Sequence, residues 1–154
     1  MSVETQKPAV APIPRGYPAV SPYLVVPDVD RVLEFLEKSF DTERVRRSEG
    51  PDGRVLHAEV RLGGSPVMLG RASREWQARQ AMLYVYVGDV DAVYQRALAA
   101  GGIPVMPPTD MFYGDRHGAV DDPAGNQWWI ATHIEDVSEE ELERRNRERF
   151  EARG

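Results

Sequence analysis

The 154-residue sequence contains no cysteine. That excludes a disulfide framework, a thiol nucleophile and a thiolate metal site. No apolar run approaches the roughly 20 residues that span a bilayer. The N-terminus also lacks the apolar core, about 7–15 residues long, of a signal peptide. A cytoplasmic protein with no membrane partner is therefore expected. A basic excess is missing too: 19 Lys and Arg against 25 Asp and Glu give a net charge of −6. That balance argues against nucleic acid as a partner and favours solubility. What is present, 42% hydrophobic and 29% charged residues, is ordinary for a globular chain of about one domain.

The densest turn chemistry is Asp122-Pro-Ala-Gly-Asn126, followed directly by Trp128-Trp129-Ile130-Ala131-Thr132. Pro fixes φ, Gly supplies positive φ and Asn tolerates it, while aromatic and β-branched residues suit a pleated, half-buried surface. A turn feeding a strand is predicted. Adjacent strand residues face opposite ways, so one tryptophan should enter a helix-backed core and the other should not.

A repeat runs through the chain. Val26-Pro-Asp28-Val29-Asp30-x-Val32 matches Val87-Gly-Asp89-Val90-Asp91-x-Val93 at an offset of 61 residues. Tyr23 matches Tyr84, Gly53 matches Gly114 and Gly64 matches Gly125 at the same offset; His57 pairs with His117 if one residue is gapped. In each copy a short β-type run precedes an Asp that can cap a helix with apolar residues at helical spacing. Further strand-like runs follow. This is a duplicated β-α-β-β-β unit, which most simply makes a curved sheet with a shared concave side.

The chain divides accordingly. Residues 1–18, carrying Pro8, Pro12, Pro14 and Pro18, form a flexible or surface-draped arm. The first module spans 19–70, a polar linker 71–80, and the second module 81–133. In the first, Arg54–Leu62 alternates, with Leu56, Ala58, Val60 and Leu62 on one face and Val55, His57, Glu59 and Arg61 on the other. In the second, a short strand at Ile103–Met106 should give way to a Pro107-Pro108 loop. Residues 134–154 end the chain as a charged helix opened by the capping box Ser138-x-x-Glu141 and laced by i,i+4 Glu–Arg pairs.

The stretches SPYLVVPDVDRVLEFLEKSF, PDGRVLHAEVRLGGSPVML and YGDRHGAVDDPAGNQWWIATHIEDVS resemble the vicinal oxygen chelate superfamily. That group includes glyoxalase I, extradiol dioxygenases, fosfomycin-modifying enzymes and bleomycin-binding resistance proteins; the likeness is to its PhnB-like, glyoxalase/bleomycin-resistance branch. The resemblance covers about residues 19–137. It implies an α+β fold in which two βαβββ modules form a curved mixed sheet around a shared cavity, with a C-terminal helix added. It also implies a homodimer. In metal-binding relatives a His stands seven residues before each capping Asp, and a carboxylate stands in the last strand. Those positions here are Ser21, Met82 and Trp129, and the repeat-mate of Trp129 is Met68. One hydroxyl, two thioethers and an indole do not supply the imidazole or carboxylate donors that a divalent metal needs without thiolates. No cofactor is expected.

Met68, Met82 and Trp129, with Tyr23 and Tyr84, would instead give an apolar, adaptable, aromatic lining suited to a small organic ligand, unless they simply fill the core. His57, Glu59, Asp115 and His117 are the polar candidates. They would act as general acid and base, orient a ligand, or lie on a wet sheet face. Arg116 should tie down the Asp121-Asp122 loop. Three functions compete: a metal-independent binding protein for a hydrophobic or aromatic molecule (resistance or carrier type); a metal-independent isomerase, lyase or cyclase-like enzyme using His57, Glu59 and His117; and a glyoxalase- or dioxygenase-like enzyme with a displaced metal site.

Overall fold

The computed structural model describes residues 9–153. The first module comprises β1 (Tyr23–Val26), α1 (Val29–Ser39), β2 (Thr42–Glu49), β3 (Val55–Leu62) and β4 (Ser65–Arg71). The second comprises β5 (Met82–Tyr86), α2 (Val90–Ala99), β6 (Ile103–Asp110), β7 (Asp115–Asp121) and β8 (Gln127–His133), and α3 (Glu139–Arg153) closes the chain. The α+β architecture of two βαβββ modules and a terminal helix is the one expected. Its sheet is built as two four-stranded mixed halves, in the orders β1-β4-β3-β2 and β5-β8-β7-β6. In each, the first strand pairs in parallel with the last, and the other pairings are antiparallel. Among the described residues, no helix is long and apolar enough to cross a membrane.

The repeat is legible in dihedral angles. Asp28 (φ −134°, ψ 96°) and Asp89 (φ −140°, ψ 96°) cap the two helices in the same way. Each side chain accepts from the amide three residues on, at 3.2 Å. Both repeated glycine pairs have positive φ: Gly53 at 75° and Gly114 at 99°, Gly64 at 85° and Gly125 at 83°. That backbone region is nearly free only for glycine.

The helices lie between the sheets, and one core serves both modules. Val29, Val32, Leu33, Phe35 and Leu36 of α1 are buried with Val90, Val93, Tyr94 and Ala97 of α2. Phe40 meets Trp128 across the module boundary, ring centroids 5.6 Å apart. Trp128 is completely buried. Its indole N–H donates to Asp122 Oδ2 at 2.9 Å, and Asp122 also accepts from the Ala124 and Asn126 amides and from the Asn126 side chain. The Asp-Pro-Ala-Gly-Asn turn thus exists to seat this tryptophan.

Three expectations need correction. The alternation of β3 is broken near its start: Ser48 pairs with His57 but Glu49 with Val55, leaving Leu56 as an unpaired extra residue. This bulge turns Val55 into the core and Leu56 outward. Strand β6 does not stop at Met106 but runs through Pro107-Pro108 to Asp110. Proline is tolerated there because β6 is an edge strand, and its register skips between Pro104 and Met106 and between Met106 and Thr109. Arg116 grips Asp91 in the first turn of α2 (2.8 and 2.9 Å) and Asp110 in β6 (3.0 Å), rather than the Asp121-Asp122 loop.

Candidate functional site

Each sheet has one face on the helices and one turned away, and strand alternation places the candidate residues on the faces turned away. On the first sheet, strand register aligns Tyr23, Met68 and Glu59 in one row and Val25, Gly70 and His57 in the next. On the second, Tyr84, Trp129 and Ala119 form the matching row, then Tyr86, Ala131 and His117. Met82 pairs with Gln127 at the end of that face. Ser21 lies just before β1 and is partly buried.

Part of the first face is occupied by the protein itself. Tyr23 Oη lies 3.3 Å from His57 Nδ1. Glu59 is buried because the N-terminal arm lies over it: Tyr17 donates its hydroxyl hydrogen to Glu59 Oε2 at 2.5 Å. Arg61 holds that part of the arm, donating to the Gly16 carbonyl at 2.8 Å and placing its guanidinium 5.3 Å from the centre of the Tyr17 ring. Sequence reasoning treated the arm and Glu59 separately; nothing in the spacing of Tyr17 links the two.

The second face is open and densely wired beneath. Met82 (67% exposed) and Tyr86 (60%) stand in solvent beside Tyr84. Trp129 packs against the His117 ring with centroids 4.9 Å apart, and its N–H donates to Gln127 at 2.8 Å. Alternation requires one of the two tryptophans to face away from the core; with Trp128 buried, that one is Trp129. Below the rings, Asp115 Oδ2 accepts from the hydroxyls of Tyr84 (2.9 Å) and Tyr86 (2.8 Å). Asp115 Oδ1 meets His133 Nδ1 at 2.9 Å, and His133 Nε2 meets Asp136 at 2.7 Å. His117 Nδ1 lies 3.1 Å from Tyr84 Oη and 2.8 Å from Tyr113 Oη.

The electrostatics follow from these contacts. Burial resists ionisation of Asp115, but hydrogen bonds from His133, Tyr86 and Tyr84 outweigh it and hold the carboxyl below its ordinary range. Burial pushes His117 down, only partly offset by the Asp115 charge, so its imidazole is neutral at pH 7. The Asp115 and Asp136 hydrogen bonds raise His133. Burial, then hydrogen bonds to Tyr113 and Asp115, raise Tyr84, and Asp115 raises Tyr86. The result is a carboxylate, a neutral imidazole and protonated phenols in fixed positions. Tyr86, Tyr113 and Asp136 are members that sequence reasoning missed; His133, at the end of the last strand, is expected from sequence at the rim or in a surface role. Tyr86 was within reach, two residues beyond Tyr84 on one strand; Tyr113 lies in a turn and Asp136 in the irregular stretch before α3, where no periodicity points.

The structure therefore sorts the candidates by sheet: Tyr23, His57, Glu59 and Met68 on one, Met82, Tyr84, Asp115, His117 and Trp129 on the other. His57 and Glu59 share no hydrogen bond with His117 among the described residues. Ser21, Met68, Met82 and Trp129, the positions that the resemblance points to, offer no imidazole or carboxylate. An indole nitrogen is a donor only, and that of Trp129 is spent on Gln127.

Comparison with known proteins agrees with this architecture. A family model described as the glyoxalase/bleomycin resistance protein/dioxygenase superfamily matches residues 18–130. An uncharacterised protein of Mycobacterium tuberculosis is 36% identical over 137 residues, 82% of this chain and 81% of the relative. Among solved structures, TioX from Micromonospora is 30% identical with a TM-score of 0.63, covering 73% of this chain and 95% of that one. A PhnB protein from Bacillus cereus, 22% identical with a TM-score of 0.60, covers 75% and 99%.

Proposed function

The chain belongs to the glyoxalase/bleomycin resistance protein/dioxygenase superfamily, and from that premise we propose that it binds a small aromatic or hydrophobic molecule on the second sheet without a metal. One observation carries the reading. The second sheet turns a thioether and aromatic surface to solvent (Met82, Tyr84, Tyr86, Trp129) over polar groups that satisfy one another. Such a surface gains by covering its rings, and the wiring beneath fixes their orientation, so little rotamer freedom is lost on binding. Both contacts of His117 are at Nδ1, which leaves Nε2 to orient a polar group of the ligand. Titration calorimetry with planar aromatic compounds tests the proposal. Trp129→Ala should weaken binding at least about tenfold, since stacking and lost apolar area act together. Unchanged affinity refutes it.

The open second face and the family resemblance further suggest a homodimer. Light scattering should then give twice the 17.3 kDa chain mass; a monomer at working concentration refutes that.

A second reading, a metal-independent acid–base enzyme, is favoured by one feature of the same face. Asp136, His133, Asp115, Tyr84 and His117 form an unbroken chain of hydrogen-bonding distances from an exposed histidine to a buried one. Such a chain can hold and relay a proton at His117 Nε2. Turnover that survives a chelator and disappears in His117→Ala would support it; turnover unchanged in that variant would remove it.

A further inference from the structure

The first sheet carries a cleft that the proposed function does not use. It encloses about 370 Å³ and is lined by Tyr23, Val25, Gly70, Arg71 and Trp76, a size at the lower end for small-molecule sites, roughly 300–1,000 Å³. Trp76 comes from the segment between the modules and is 71% exposed. It is nevertheless held: Ser73 N donates to the Trp76 carbonyl at 2.8 Å, and Trp76 N donates back to Ser73 Oγ at 3.1 Å. Trp76 lines the cleft together with Tyr23 and Val25, so its exposed ring belongs to a contiguous apolar patch, the feature that marks recognition.

The floor is an aromatic ring: a Cβ on Gly70 would lie 2.5 Å from Tyr23 Oη, so glycine at this position lets the phenol lie down over β4. Arg71 borders the cleft. Its Nη1 meets Asp52 Oδ2 at 3.0 Å, and Asp52 is half exposed on its turn. A surface pair of this kind is weak, and a guanidinium has five donors in a fork suited to a second oxyanion.

We propose that this cleft is a second binding site, for a planar aromatic anion whose ring lies against Tyr23 and Trp76 and whose acidic group is held by Arg71. It shares no residue with the second-sheet site, so either can fail alone. The test uses 1-anilinonaphthalene-8-sulfonate and its uncharged analogue N-phenyl-1-naphthylamine. Both are titrated into the full chain carrying Trp129→Ala, which silences the other face. Trp76→Ala in that background should weaken both probes about tenfold. Arg71→Gln should weaken the sulfonate by a similar factor, as loss of a charge-assisted hydrogen bond does, and the uncharged probe by less than about twofold. Both substitutions are at the surface, and circular dichroism checks the fold. Absence of saturable sulfonate binding, indifference to Trp76→Ala, or equal response of the two probes to Arg71→Gln each overturns the assignment. Loss of probe binding in the Trp129→Ala chain alone would support the second-sheet reading and defeat this one.

Discussion

The two modules share a scaffold and differ in what they display. Helix caps, pairing register and glycine turns repeat at 61 residues, so Tyr23–Met68 and Tyr84–Trp129 are the same pair twice. The contents diverge. Val67 in the first module answers to Trp128 in the second, Met68 to Trp129, Val25 to Tyr86. The β3–β4 turn is two glycines, Gly63 and Gly64, with φ of 55° and 85°, a geometry that suits a tight hairpin. Its counterpart between β7 and β8 is five residues, 122–126, organised by Asp122. The bulge at Leu56 turns Val55 inward at the place where the second module sets Asp115. One face is thus covered by the arm on Glu59; the other is left open over a carboxylate. The duplicated backbone specifies where side chains stand, and local insertions of one to three residues specify which of them can become a site.

The largest expected break in this symmetry is at the paired core positions. Trp128→Ala removes a fully buried ring and deprives Asp122 of a donor, and should cost about 3–5 kcal/mol in urea denaturation. Val67→Ala, at the corresponding position, removes two carbons and should cost about 2 kcal/mol. Equal losses would mean that the second module does not depend on its turn–tryptophan lock. Next comes the arm. Tyr17→Phe leaves the buried Glu59 side chain without its hydroxyl partner and should lower the urea midpoint. It should also speed proteolysis N-terminal to residue 18. A variant as stable and as protease-resistant as the parent would show that the arm does not close the first face.

The fold was legible because its determinants are local. Capping aspartates, positive-φ glycines and the Trp128/Trp129 alternation each act within a few residues, and their repetition exposed the modules. The site was legible in part: Tyr84, Asp115, His117 and Trp129 lie on strands whose period gave their face. What was hidden depends on contacts distant in sequence. Glu59 meets Tyr17 at a separation of 42 residues and Arg116 meets Asp91 at 25, and no periodicity encodes such partners. The bulge at Leu56 depends on how β2 and β3 pair, and the passage of β6 through Pro107-Pro108 depends on its edge position and on Gly118, where a Cβ would stand 3.0 Å from the Met106 carbonyl and 3.1 Å from Pro108 N. Those are properties of the assembled sheet.

The smallest and sharpest test concerns charge on the open face, which the first module lacks. His133 should titrate above, and His117 below, the ordinary histidine value near 6.5, as followed by the ring proton shifts in NMR. Asp115→Asn should move both downward. His133 loses a charged acceptor, and His117 loses the carboxylate that partly offsets its burial. The stability consequence has a definite sign. A raised His133 contributes stability that is fully present below about 6.5 and lost as pH rises through its folded value. A depressed Asp115 contributes stability present above its ordinary value, near 4, and lost as pH falls through the folded one. The parent should therefore exceed Asp115→Asn most between about pH 4 and 6.5, and the gap should narrow on the alkaline side as His133 gives up its proton. A gap that stays constant above neutrality would mean that the tyrosines, rather than His133, hold the carboxylate.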